Sequence, residues 1–236
     1  MLFRSIAEHW LGARSDLFNI VIQFGAILAV VLIYRQRLWT LASDWRHPEQ
    51  RDYLAKLAVA FGITAVLGFA VTKAGFKLPQ EVTPVAWALL IGGVWMLAAE
   101  SMAARLPAAS RITWAVAIAV GLAQVVAAIF PGTSRSGATI FIALLVGCND
   151  RRAATEFAFL VGIPTMAAAS GYELLKYLKA GGGGEPLAPL TIAFAVSMAS
   201  AFIAVRWLLG YIGNHRYTGF AIYRIVVGAV LLLGLV

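Results

Sequence analysis

The chain has 236 residues, 61% of them hydrophobic and only 13% charged, with 19 Lys and Arg against 11 Asp and Glu for a net charge of +8. A soluble domain carries roughly 25% charged residues, and the mean hydropathy here is +0.83, so the composition excludes an ordinary soluble globular protein and indicates an integral membrane protein. No basic helix stands clear of the apolar sequence, which excludes nucleic acid as a partner; the positive excess suits cytoplasmic loops and an anionic lipid ligand.

Uncharged runs fall at 17–34, 57–72, 82–99, 112–134, 136–149, 157–172, 186–205 and 225–236. A crossing helix needs about 20 residues, so the longer runs predict full spans and the shorter ones half-helices or re-entrant segments. The opening Met1-Leu2-Phe3-Arg4 and the mixed polar stretch after it do not read as a signal peptide, and the first long run is expected to direct insertion. The segment 35–56 carries Arg35, Arg37, Arg46, Arg51 and Lys56 and is expected on the cytoplasmic side. That places 73–81 outside and 100–111 inside again. The stretch 112–149 exceeds one helix and is broken near its middle. It predicts either two spans or one span plus a re-entrant hairpin. Gly181-Gly182-Gly183-Gly184 predicts a flexible linker.

A faint internal echo links two runs. Phe18 is followed by Gly25, and Phe157 by Pro164, at the same spacing, each read as a helix breaker. Internal repeats with broken helices are common in membrane proteins that bind at the midplane. Cys148 is the one cysteine. It can form no intrachain disulfide and reads as a small buried residue. His9, His47 and His215 are dispersed and form no metal-binding pattern. Glu100 and Glu156, at the ends of apolar runs, read as helix-end or ion-pair residues, and Arg206 as a loop-edge residue.

The chemistry concentrates at Pro131-Gly132-Thr133-Ser134-Arg135-Ser136-Gly137-Ala138-Thr139. A charge at membrane depth is costly and marks function by default. Pro131, Gly132 and Gly137 permit irregular backbone, which at that depth must be buried in protein or line a wet cavity. A helix restarting near Ser134 would aim free N–H groups at an anion. Arg135 would add a planar fork matched to phosphate. Thr133, Ser134, Ser136 and Thr139 would add hydroxyls, with Thr139 on the same helix face as Arg135. The competing reading is a polar helix–helix contact with a snorkelling arginine. Arg224, beside Tyr223, is a second candidate for the anion, and it fits an interfacial Tyr–Arg anchor equally well. On that ground Arg224→Ala is expected to do less damage than Arg135→Ala.

The 131–139 motif with Ile140 resembles the signature of the bacterial undecaprenyl-diphosphate phosphatases, the bacitracin-resistance family. Phe18-Asn19-Ile20-Val21-Ile22-Gln23-Phe24-Gly25, Gly121-Leu122-Ala123-Gln124, Ala153-Ala154-Thr155-Glu156-Phe157 and 220–224 are similar too, in the family's order. The resemblance implies an all-α polytopic membrane bundle of two inverted repeats, each with a re-entrant helical hairpin. The chain is then one membrane domain, with 1–111 an incomplete first repeat and 112–236 the second repeat bearing the phosphate-binding motif. It implies hydrolysis of undecaprenyl diphosphate at the bacterial inner membrane, which recycles the lipid carrier for cell-wall synthesis. Arg135 would clamp the diphosphate, Ser134 and Thr139 would bond its oxygens, and Gly132 would allow close approach.

The family also carries a Glu-rich segment running into Leu-Pro-Val-Ser-Ser-Thr-Gly-His, whose carboxylates hold a divalent cation, Mg or Ca. This sequence does not show it, and Asn19 stands where the family has Glu. The expectation is therefore an N-terminally truncated chain whose reading frame continues upstream, with no metal ligands of its own. The alternatives are a polyprenyl-phosphate transporter or an inactive homologue. An unrelated acid-phosphatase mechanism would need a histidine at Phe141. Oligomeric state is open, with a homodimer possible.

Overall fold

The structure, a computed structural model, describes residues 15–74, 82–107, 109–130, 132–181, 186–212 and 215–234. Among these residues the elements are nine helices. They are α1 (Asp16–Ile33), α2 (Arg35–Ser43), α3 (Pro48–Lys73), α4 (Val82–Ala103), α5 (Trp114–Ile129), α6 (Arg135–Val146), α7 (Arg151–Lys179), α8 (Leu187–Ile212) and α9 (Thr218–Gly234). The starts are written in the sequence. Ser15 accepts from the Phe18 amide at 3.1 Å, Pro48 opens α3, Thr113 accepts from Val116 at 3.3 Å, and Asp150 accepts from Arg152 at 2.8 Å. Each satisfies or removes an amide that a helix start leaves without a partner.

Five helices are long and apolar enough to cross a membrane: α1, α3, α4, α7 and α8. Their outward faces carry residues such as Val66, Phe69, Ile91, Ile192 and Ile203. In lipid such faces need no cover. The chain is a multi-pass membrane protein.

The 112–149 stretch resolves as a re-entrant hairpin. At 1.5 Å per residue, α5 is roughly 24 Å long and α6 roughly 18 Å, both short of a hydrocarbon core of about 30 Å. The two ends of the stretch meet. The Asp150 amide donates to Ala109 at 3.2 Å, the Ala109 amide to Asn149 Oδ1 at 2.6 Å, and Asn149 Nδ2 to Leu106 at 2.9 Å. With its ends together and neither helix long enough to cross, the segment turns back within the membrane. Cys148 is fully buried at this base.

The hairpin is held between the other helices. α5 packs on α3, α6 packs on α4 and α7, α4 pairs with α9, and α1 with α8 and α7. Close approach is set by small residues: a Cβ on Gly121 would lie 2.8 Å from the Ala60 carbonyl, and one on Gly25 2.7 Å from that of Phe194. Hydroxyls add inter-helix bonds, from Thr64 to Gly121 at 3.1 Å and from Ser197 to Ile22 at 2.7 Å. Packing and hydroxyl bonds are the forces available between helices where lipid removes the hydrophobic drive.

Three readings are corrected. Gly25 does not break α1; it is the contact point with α8. Pro164 does not break α7, whose 29 residues include it; the Thr165 hydroxyl beside it bonds the Val161 carbonyl at 2.8 Å, and membrane helices tolerate such a proline. Arg206 lies inside α8, its guanidinium 6.0 Å from the Phe202 ring centroid, and is no loop-edge residue. The ion-pair readings hold. Arg37 meets Glu156 at 2.8 Å and Arg151 meets Glu100 at 3.0 Å. Pro131 and Gly182-Gly183-Gly184 lie outside the described residues; Gly181 is in a turn with φ +90°.

Candidate active site

The hairpin tip connects the end of α5 to the start of α6 in a few residues. Gly132 has φ +94° and Ser134 φ +63°. The first is open to glycine; the second is costly for a serine, on the order of 1–3 kcal/mol. Ser134 is the N-cap of α6, and its hydroxyl accepts from the Gly137 amide at 3.2 Å. The amides of Arg135 and Ser136, at the start of the helix, have no helical carbonyl within reach. The positive end of the α6 dipole therefore faces outward from the tip.

Gly132 seats the tip on α4. A Cβ there would lie 2.8 Å from the Val85 carbonyl and 3.1 Å from Ala88 Cβ, so backbone stands directly on backbone. Across this contact reaches Arg224 of α9. Its Nη2 donates to the Gly132 carbonyl at 2.9 Å and the Ala88 carbonyl at 3.3 Å. Its Nη1 is 3.7 Å from where a Gly137 Cβ would sit, which brings the guanidinium to the first turn of α6. Arg224 is only 9% exposed, so the interfacial Tyr–Arg anchor is overturned. Tyr223 points away and is exposed.

Two buried nitrogens are left over. Arg135 Nη1 and Arg224 Nε have no hydrogen-bond partner among the described residues. A buried, unmatched guanidinium N–H is expensive, and an anionic oxygen is the kind of acceptor that each lacks. Thr133 and Ser134 are half-buried and Ser136 is exposed at the same tip. Thr139 is different. It is 1% exposed, and its hydroxyl proton goes to the Arg135 carbonyl at 2.9 Å or that of Ser136 at 3.1 Å. The spacing places it on the Arg135 face, but bonding back into its own helix takes its donor out of the tip.

The chain matches the model of the family described as bacitracin resistance protein BacA over residues 2–230. It belongs to that family. Similar proteins include one from Rhizobium etli, 67% identical over 98% of this chain and 87% of the relative, one from Rhizobium johnstonii at 64%, and one from Xanthomonas oryzae pv. oryzae at 61% over the same shares. Each is named undecaprenyl-diphosphatase.

The divalent cation implied by the family resemblance finds no fit at this BacA tip. Among the described residues no three His, Cys, Asp or Glu side chains gather, and the charged residues of the tip, Arg135 at the start of α6 and Arg224 on the Gly132 carbonyl, are both cations. Asn19, at a position where a carboxylate was expected, donates to the Ser15 carbonyl at 3.1 Å at the start of α1. The described tip is a receptor for an anion and supplies no ligands for a cation.

Sequence reasoning missed the α4 wall. Val85, Ala88 and Gly92 frame the tip, and Gly92-Gly93 inside an apolar run was the one signal that pointed there.

Proposed function

We propose that this chain hydrolyses undecaprenyl diphosphate to undecaprenyl phosphate and inorganic phosphate in the bacterial inner membrane, returning the lipid carrier to cell-wall synthesis. The observation that carries this reading is a pair of arginines inside an apolar bundle, Arg135 at the first position of α6 and Arg224 bonded to the Gly132 carbonyl of the tip, each with an unmatched buried nitrogen. The family membership and the relatives named undecaprenyl-diphosphatase support it.

In hydrolysis a water oxygen bonds to the terminal phosphorus while the anhydride P–O bond breaks, and the lipid phosphate leaves with the electron pair. Charge builds on the phosphoryl and leaving oxygens. Arg135 and Arg224 and the free amides of α6 are fixed donors aimed at that charge, where they act without reorganising. Ser134 and Gly132 shape the tip, Thr133 and Ser136 add hydroxyls at its edge, and Thr139 ties the first turn of α6. None of the hydrogen bonds at the tip involves a carboxylate or histidine. The described tip thus accounts for binding and charge stabilisation.

Orientation follows from charge. The hairpin base carries Arg105, Arg111, Arg151 and Arg152, which places it on the cytoplasmic side. The tip then opens toward the outer face.

The test is phosphate release from undecaprenyl diphosphate by the purified chain in detergent, with Mg or Ca supplied. Stoichiometric phosphate and undecaprenyl phosphate support the reading. Transfer of undecaprenyl phosphate between leaflets of a vesicle, with no phosphate released, would replace it with a transporter.

A further inference from the structure

The α4–α9 interface holds three glycines that differ in what a side chain would meet. On Gly93 a Cβ would lie 2.8 Å from the Ala221 carbonyl, and on Gly228 2.9 Å from both the Ala86 carbonyl and the Leu90 amide. Those are backbone atoms, so a methyl at either position pushes the helices apart. On Gly92 the Cβ would lie 2.5 Å from Arg224 Nη2, 3.3 Å from its Cζ and 3.7 Å from its Nε. The guanidinium approaches bare backbone by its Nη2 end, and its atoms are the three nearest to that Cβ. A methyl there is relieved by moving the end of a flexible side chain, without separating the helices.

That side chain is the one that reaches the hairpin tip. The Nη2 that would be struck is the atom bonded to Gly132 and Ala88. A shift of about 1 Å in a positioning group is enough to cost roughly a hundredfold in rate.

We propose that Gly92 is a positioning residue for the diphosphate site: its missing side chain is the passage through which Arg224 crosses α4 and holds the hairpin tip. The role rests on the functional reading above, and it acts wholly through Arg224. Gly92 touches no substrate.

The test is a double-mutant cycle between Gly92→Ala and Arg224→Ala in the full chain, with two readouts. One is kcat/KM for phosphate release from undecaprenyl diphosphate. The other is hydrogen–deuterium exchange of tip amides 133–138, which needs no turnover. Gly92→Ala alone should lower kcat/KM by about a hundredfold and speed tip exchange, while its thermal midpoint stays near wild type. In the Arg224→Ala background the same change should alter either readout less than about twofold, because contacting residues are non-additive and independent ones are not. Gly228→Ala should lower the thermal midpoint in both backgrounds. Gly62→Ala, with nothing near its Cβ, should match wild type.

Equal factors in both backgrounds would overturn the proposal, since Gly92 would then act on helix packing alone. If Gly92→Ala fails to fold, recovery of folding in the double variant supports the passage, and failure of both overturns it. A wild-type protein that releases no phosphate but shows coupled tip exchange would reject the phosphatase reading and leave the positioning role standing.

Discussion

Arg224 Nη2 and the Gly132 carbonyl are 2.9 Å apart, although 92 residues separate them in the chain. The last described helix thus holds the tip of a hairpin that itself crosses no membrane. This bond gives Arg224 two tasks, anchoring the tip through Nη2 and offering its remaining nitrogens to an anion at the start of α6.

Arg224→Ala should therefore reduce kcat/KM at least as much as Arg135→Ala, on the order of a hundredfold or more. This reverses the ranking drawn from the sequence, where the neighbouring Tyr223 suggested an anchor at the membrane surface. Steady-state kinetics on both variants decides it. A clearly smaller loss in Arg224→Ala would return that residue to a structural role.

Arg135→Lys should also lose about a hundredfold in kcat/KM. An ammonium keeps the charge but cannot reproduce the guanidinium fork. The fall should appear in KM alone if the group binds ground state and transition state alike, and in kcat if it binds only the transition state. Wild-type kinetics in Arg135→Lys would show that charge alone suffices and that the buried Nη1 has no ligand role.

Much of this was legible from residue patterns. The apolar runs marked the helices, and the excess length of 112–149 raised a re-entrant hairpin in one of two options. What decides is that α5 and α6, at 16 and 12 residues, are each short of a crossing, while the bonds joining Asn149 to Leu106 and Ala109 close the base, a tertiary fact with no local signature. Gly25 and Pro164 misled because a residue that can break a helix is also one that lets helices approach, or is tolerated inside a long membrane helix. Spacing placed Thr139 beside Arg135 but could not show that its hydroxyl turns back to its own backbone. Gly92 stood out only as half of a glycine pair, because its meaning comes from a side chain far along the chain.

Gly132→Ala should unseat the tip. Positive φ alone costs an L side chain about 1–2 kcal/mol, and the methyl would meet the Val85 carbonyl at 2.8 Å. Neither the backbone of α4 nor that of the tip can yield without breaking the Arg224 bond. The expected outcome is a folded protein with faster amide exchange at 133–138 and strongly reduced phosphate release. Unchanged exchange would mean that the tip can settle elsewhere on α4.

The two ion pairs Arg37–Glu156 and Arg151–Glu100 should differ in value. Arg37 and Glu156 are both about one-third exposed, at 31% and 33%, and such pairs contribute roughly 0–1 kcal/mol. Glu100 is buried at 6% under Arg151 and also accepts from the Tyr217 amide at 3.2 Å. Removing Arg151 leaves that carboxylate buried without its cation, a loss of up to roughly 3 kcal/mol, lessened because Arg151 itself meets solvent. Thermal unfolding in detergent should show a larger drop for Arg151→Ala than for Arg37→Ala. The reverse order would mean that the α2–α7 tie carries this end of the bundle.

Cys148 offers a probe of the hairpin base. Its thiol is fully buried, 3.7 Å from the Ser110 carbonyl and 3.9 Å from that of Asp150, and burial pushes its pKa up to about 11. The reactive species is the thiolate, so at pH 8 only about one thiol in a thousand is in the reactive form. A charged maleimide should therefore label the folded protein at pH 8 far more slowly than a free cysteine. Labelling should rise sharply when denaturant opens the base, because unfolding removes both the steric cover and the raised pKa. Raising the pH from 8 to 9 should increase the thiolate fraction about tenfold, yet labelling should rise only if the base opens to admit the reagent. Rapid labelling at pH 8, with tip exchange still slow, would show that the 109–110 and 148–150 segments separate in the folded protein, and the hairpin would then be anchored at its tip alone.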